Sequence, residues 1–497
     1  MKKMKKVMAL LLSLVMVLAM SVVAFAGEAA TFTITAPATT HQYEIYQIFT
    51  GDLHEGTLSN LKWGKNGKET EGTAVAADVV TALTRVTGKS FNEILAVVKP
   101  YANLNSTPIA TVTNGATYEA VAGYYLIKDK DNSVTGTDSY TLYIVKVVGN
   151  VTIDPKSDVP SFEKKIKDTN DTEGTTTGWQ DSADYDIGDN VPFKLEGTVA
   201  DNYADYKTYY FAFHDKEENG LSFNPGSVKV YVDGVEITSG YEVKITGLKH
   251  NDCTFEVVFE NLKAISSVKA KSKITVEYTS LLNENAILGK PGNVNEAKLE
   301  FSNNPNNDQI GTPETGETPW DNVIVFTYQV VVNKYANSVA DGNKLPGAEF
   351  KLEKVLKDGT KTEIAVVKSS DETSFTFKGL DDGDYILTET KTPAQYNTIA
   401  PITFTVTAEH NIEWTTGNRN DILTSLTGNA ASGTITFSPK TDDNGVQTGL
   451  ETNVINKSGS TLPTTGGMGT TIFYVVGSIL VLGAAILLIT KKRMSAR

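Results

Sequence analysis

The C-terminal end sets the terms for the rest of the chain. An uncharged apolar run extends from Ile472 to Ile489, and Lys491, Lys492 and Arg493 follow after Thr490. At 1.5 Å of rise per residue, a helix of that length crosses the hydrocarbon core of a bilayer. The basic cluster is expected on the cytoplasmic side, which puts the bulk of the chain outside the cell. The other end agrees. Lys2, Lys3, Lys5 and Lys6 precede an apolar stretch from Val7 to Val23, and Ala24-Phe25-Ala26 has the small-x-small form of a signal-peptidase site. Cleavage is expected after Ala26. Both ends are processing segments, so the fold is built from the residues between them.

Just ahead of the apolar run stands Leu462-Pro463-Thr464-Thr465-Gly466. Together with the run and the basic tail, it resembles the LPXTG sorting signal of Gram-positive surface proteins. The resemblance implies that a sortase cysteine attacks the Thr465 carbonyl, that Gly466 leaves as an amine, and that another amine takes the acyl group. Final attachment to peptidoglycan is then expected, with the membrane helix needed only before sorting.

The full chain carries 45 Lys+Arg against 59 Asp+Glu, a net −14. Four of the bases lie in the leader and four after Thr465, so the mature part is more acidic still. That argues against nucleic acid and anionic membrane surfaces as partners. Cys253 is the sole cysteine and stands in an alternating Phe255-Val257-Phe259 context, as a buried small hydrophobe. An exported chain of this length thus has no disulfide to brace it. The histidines at 41, 54, 214, 250 and 410 show no ligand spacing. Asp129-x-Asp131 begins like a calcium loop, but Val134 and Tyr140 stand where glycine and glutamate are needed. No phosphate-binding loop, nucleophile elbow or zinc-protease helix is present. No cofactor and no metal are expected.

Between the ends, short β-branched runs alternate with Gly, Asn and Asp turns. Thr31 to Thr35, Tyr124 to Ile127, Ser227 to Val232 and Thr403 to Val406 are examples. This pattern predicts tandem β-sandwiches. Val75, Val79, Leu83 and Val86, then Phe91, Leu95 and Val98, recur at helical spacing and predict two helices inserted in the first domain. Proline-bearing polar connectors place the domains at 27–156, 157–319 and 320–461, between a leader at 1–26 and a sorting segment at 462–497. The Thr/Asn/Gly/Asp-rich stretch from Asn418 to Gly449 reads as an excursion from the third domain.

Alternation in Val330-Val331-Val332-Asn333-Lys334 puts Lys334 on the same face as two core valines. A buried ammonium must pair or lose its proton. Tyr385, Leu387 and Glu389 likewise share a face, giving a buried carboxyl, and Val454 and Asn456 share one just before the sorting signal. These three stretches resemble the CnaB-type domains of Gram-positive pilins. The second is similar to the family's Y-x-L-x-E-T-x-A-P-x-G-Y box, with Thr392 for Ala and Gln395 for Gly, neither expected to touch the acid. The resemblance implies a Lys334–Asn456 isopeptide bond formed with the help of Glu389. Physically, burial is expected to raise the carboxyl pKa and lower that of the amine, so that a neutral amine attacks the amide carbonyl and ammonia leaves. Closing about 120 residues in this way is comparable to a long-loop disulfide, on the order of 4–5 kcal/mol.

Phe162, Lys164 and Ile166 alternate at the start of the second domain, and Ala297, Leu299, Phe301 and Asn303 at its end. The latter resembles the fimbrial domain whose last strand closes on Y-S-N-N-P, with Phe301 for Tyr. It implies a Lys164–Asn303 bond, with Lys165 as competitor. Asp215 is the expected acid, with Glu217 and Glu218 nearby. The first domain opens without a lysine, so no such bond is expected there and Glu119 is read as structural. Its Tyr46-to-Leu53 stretch resembles the N-terminal domain of major pilins.

Lys156, after Asp154-Pro155 at the first domain junction, resembles the acceptor lysine of the Y-P-K pilin motif, with Asp154 in place of Tyr. The resemblance implies that Thr465 of one subunit joins Lys156 of an identical subunit, a head-to-tail contact that propagates as a fibre. The expected protein is therefore not an enzyme. It is the secreted, wall-attached backbone subunit of a sortase-assembled pilus, with host surface receptors left open as partners. The alternative is a wall-anchored adhesin or accessory pilin that does not polymerise.

Overall fold

The computed structural model describes residues 30–494, apart from 56, 86–90, 135–137, 155–157, 307–312, 416, 431–434 and 460–467. Ala26, Lys156 and the five residues from Leu462 to Gly466 therefore lie outside the described residues. The chain is mainly β, arranged as tandem sandwiches whose strands alternate buried and exposed side chains.

In the first domain the strand Thr31–Thr35 lies between Thr117–Val121 and Val151–Thr152. A five-stranded sheet packs beside it, centred on Gln42–His54 and Gly123–Asp129. The two expected helices are present, α1 (Ala77–Thr84) and α2 (Phe91–Val98). Val79 and Leu83 of α1 point into the core with Phe49, Trp63 and Tyr124, as their spacing requires.

The second domain packs a sheet built on Phe211–Glu217 and Asn293–Ser302 against one built on Lys273–Leu282, Asn190–Thr198 and Ser161–Ile166. The strand Asp321–Phe326, which composition places at the start of the third domain, hydrogen-bonds into the second. It runs antiparallel to Asn293–Ser302 and parallel to Ser182–Asp184. Its alternation serves two cores: Val323 and Val325 pack in the second domain, Ile324 and Phe326 in the third.

The third domain has two five-stranded sheets. Its opening strand Tyr328–Ala336 and closing strand Gln447–Asn456 are neighbours and run parallel, with Lys334 opposite Val454 and Ala336 opposite Asn456. The stretch read as an excursion is instead part of both sheets. Leu423–Ala430 pairs with Ile402–His410, and Phe437–Thr441 with Gln447–Asn456. Both are edge strands, where polar residues guard an open ladder, and this made them look like loop. Beyond the sandwiches, α3 (Met468–Met494) contains a span, Phe473–Lys491, of mean hydropathy 2.5.

Candidate functional site: two buried lysine centres

Parallel pairing of the opening and closing strands brings Lys334 to Asn456. They stand two register positions apart and face the same side of the sheet. The Lys334 side chain is fully buried, and its Nζ touches Asn456 Oδ1. Glu389, from the strand Gly383–Lys391 of the facing sheet, completes the centre. Its Oε1 lies 3.1 Å from Lys334 Nζ and accepts a hydrogen bond from Asn456 Nδ2 at 2.9 Å. One carboxylate oxygen thus touches the nitrogen that would attack and the nitrogen that would leave. Asn397 O also accepts from Asn456 Nδ2, at 3.0 Å, which fixes the amide plane.

Burial pushes the Lys334 amine below lysine's ordinary range, as the alternation implied. Glu389 departs from expectation. Burial pushes its carboxyl up, but the Asn456 amide and Lys334 outweigh that and hold it below the usual range. It is poised as a base, not as a neutral acid. Thr392 is a second correction, because its hydroxyl donates to Glu389 Oε2 at 3.0 Å and so supports the ionised form. Gln395, where the family has glycine, takes a φ of 77°, a region that favours glycine.

The second centre lies between the sheets of the second domain. Lys164 is fully buried, and its Nζ donates to Asp215 Oδ2 at 2.5 Å and to Tyr278 Oη at 2.8 Å. Tyr278 donates to Asp215 Oδ2 at 2.7 Å and accepts from Asn295 Nδ2 at 2.9 Å. Burial lowers the Lys164 pKa and raises that of Asp215, the direction in which a neutral amine and a neutral acid coexist. Glu217, next along the same face, is pushed by burial up to about 8 and accepts from Ser280.

Asn303 is not part of this centre. Asp215 stands opposite Ala297 in the ladder, and Asn303 lies six residues further on, roughly 20 Å along a strand. Its backbone carbonyl accepts from Tyr140 N of the first domain at 2.7 Å. The asparagine that shares the Tyr278 hydroxyl with the lysine is Asn295, opposite Glu217 in the ladder. Lys165 faces the other way and pairs with Asp181 at 2.7 Å. Glu218 is engaged by Arg419, through two hydrogen bonds of 2.7 Å. In the first domain Glu119 is exposed on the strand Thr117–Val121.

Sequence reasoning missed Asn295 and Tyr278. Asn293, Asn295 and Asn303 share one strand face, so alternation alone does not choose among them, and the cross-strand register does. Asn293 is excluded by its own bonds, since it donates to Ile287 O and Val325 O and accepts from Ile287 N.

Residues 328–420 match the family model of the SpaA prealbumin-like fold domain, and residues 455–495 match that of the LPXTG cell wall anchor motif. A curated relative, the trypsin-resistant surface T6 protein of Streptococcus pyogenes serotype M6, is 27% identical over 439 residues, covering 77% of each chain. Among solved structures, the T6 backbone pilin of serotype M6 Streptococcus pyogenes is similar over 87% of this chain and all of that one, at 20% identity and a TM-score of 0.52. The full-length major pilin SpaD of Corynebacterium diphtheriae aligns over 87% of this chain and 98% of its own, at 16% identity and a TM-score of 0.48.

Proposed function

We infer that this LPXTG-anchored chain, of the backbone-pilin kind, is the repeating subunit of a covalent surface pilus and is braced internally by two lysine–asparagine bonds. The observation that carries the bracing is the buried contact of Lys334, Glu389 and Asn456, with one carboxylate oxygen spanning both nitrogens. The chemistry follows from that geometry. The discharged Lys334 amine attacks the Asn456 side-chain carbon. Glu389 takes the proton from the attacking nitrogen and delivers it to Nδ2, which leaves as ammonia as the amide to Lys334 forms. Shielding from water keeps the amide from hydrolysis and the amine uncharged.

In the second domain the same reaction joins Lys164 to Asn295. Asp215, held neutral by burial, gives its proton through Tyr278, which touches both Asp215 Oδ2 and Asn295 Nδ2, to the leaving nitrogen and takes one back from the attacking nitrogen. Lys164–Asn295 replaces the Lys164–Asn303 pairing that the sequence suggested. Each bond closes a loop of more than a hundred residues, a stabilisation on the order of 4–5 kcal/mol.

Between subunits, a sortase joins Thr465 of one chain to Lys156 of the next, and at the base of the fibre to peptidoglycan. Lys156 follows Ile153, which is anchored in the first core, and precedes Val159, which packs on the second. The described residues on either side of the acceptor are thus held by the two cores.

Two measurements test this. The intact mass of the ectodomain, residues 27–461, should fall two ammonias below the sequence value, and Glu389→Ala should restore one. A wild-type mass equal to the sequence value removes the bracing. A denaturing gel of wall extract should show a ladder of high-mass species that Lys156→Ala abolishes. A single wild-type band removes the polymer.

A further inference from the structure

The fold gathers two histidines that the sequence leaves 36 residues apart. His214 lies in Phe211–Glu217, with its ring on the face opposite the Phe211 and Phe213 core contacts, and it is fully buried. Glu256 stands opposite it on the next strand, and Glu300 is close by on the strand at the other side. The loop carrying Lys249 and His250 folds over all three. Glu256 Oε1 accepts from His214 Nδ1 at 3.1 Å, Lys249 N at 2.9 Å and His250 N at 3.1 Å.

On the other side of the ring, His214 Nε2 faces Glu300 Oε2 at 3.0 Å, so both ring nitrogens stand against carboxylates. The His250 ring packs edge-on against His214, with centroids 4.5 Å apart. One ligand atom from each of His214, His250 and Glu300 lies within 4.8 Å of the others. Two imidazoles and one carboxylate are the donor set of a zinc-class ion. A carboxylate behind a ligating imidazole is the usual orienting partner.

We propose that His214, His250 and Glu300 form a binding site for a divalent transition metal of the zinc class, with Glu256 as positioning residue. Glu317 Oε1, 2.9 Å from His250 Nε2, is the nearest further donor. Lys249, whose ammonium touches the other oxygen of Glu300, is half exposed and free to swing into solvent. A metal here would fasten the loop before Phe255–Phe259 to the sheet, in a chain that has no disulfide.

The ectodomain, residues 27–461, carries every described strand and hydrophobic cluster, and the membrane span of α3 buries nothing against it. Stripped with chelator and free of any affinity tag, it should develop a saturable visible Co(II) band that Zn(II) displaces. His250→Asn, at a partly buried position and checked for fold by circular dichroism, should abolish the band. Glu256→Gln should weaken affinity about 10–100-fold, and His410→Asn should leave it unchanged. No Co(II) band in the wild type, or a band that survives His250→Asn, would mean that His214 only hydrogen-bonds the two glutamates, and the site would be rejected.

Discussion

Lys164, Lys334 and Lys354 are each shut away from solvent, yet burial acts on them differently. Lys334 faces a single carboxylate, and Lys164 touches Asp215 alone, with Glu217 and Asp321 farther off. For both, desolvation prevails and the amine is pushed towards its neutral, nucleophilic form. Lys354 touches Asp171 and Asp381 and lies 2.8 Å from Asp186. There burial also favours discharge, but the carboxylates outweigh it and hold the proton far more firmly than on an ordinary lysine. The number of acids in direct contact thus separates an amine pushed towards its neutral form from an ionic clasp. Lys354→Met should leave the ammonia count unchanged in the intact mass. It should lower stability by about 3–5 kcal/mol in denaturant titration, because it strands buried carboxylates. For the second centre, Asn295→Ala should restore one ammonia to the mass while Asn303→Ala restores none. The reverse outcome would reinstate the pairing read from the sequence.

Among the elements, the strand Asp321–Phe326 does most to couple the domains, since its two faces belong to different cores. Beside it, Ser182–Asp184 carries Asp184 into a buried cluster with Asp168, Asp382, His410 and the Tyr328 hydroxyl. Burial pushes the Asp184 carboxyl up to about 8, and Asp382 and Asp168 add to the shift. An unfolded aspartate titrates near 4, so across that interval the folded chain holds a proton that the unfolded chain has released. The associated stability is full below about 4 and is lost as pH rises through about 8. Calorimetry should show the melting temperature falling over that range, and Asp184→Asn should flatten part of the slope. An unchanged slope in the variant would assign it elsewhere. Strand alternation made the Lys334 centre legible, because Lys334, Glu389 and Asn456 each break an apolar face at a single point. The shared strand was not legible, because alternation says that both faces are buried but not against which neighbour. The paired histidines were hidden for a related reason: a strand and a loop meet there by register, with no fixed spacing.

At the scale of the whole molecule, the proposed linkages define where tension would run in a fibre. It would enter at Lys156, cross from Lys164 to Asn295, pass along the shared strand, cross from Lys334 to Asn456 and leave at Thr465. Residues 27–155 lie outside that path. In single-molecule pulling between residues 156 and 461, the wild-type third domain should show no unfolding step. Glu389→Ala should release the loop closed by Lys334 and Asn456, 122 positions apart, roughly 400 Å at full extension. A step of that size in the wild type would contradict the cross-link. The side-by-side parallel course of Tyr328–Ala336 and Gln447–Asn456 then takes on a mechanical meaning. Pulled from opposite ends, two such strands form a lap joint in which every rung is sheared together. The proposed rivet near the far end of the overlap would take the strain off those rungs, so that the turns and edges of the domain would be free to diverge without weakening a filament.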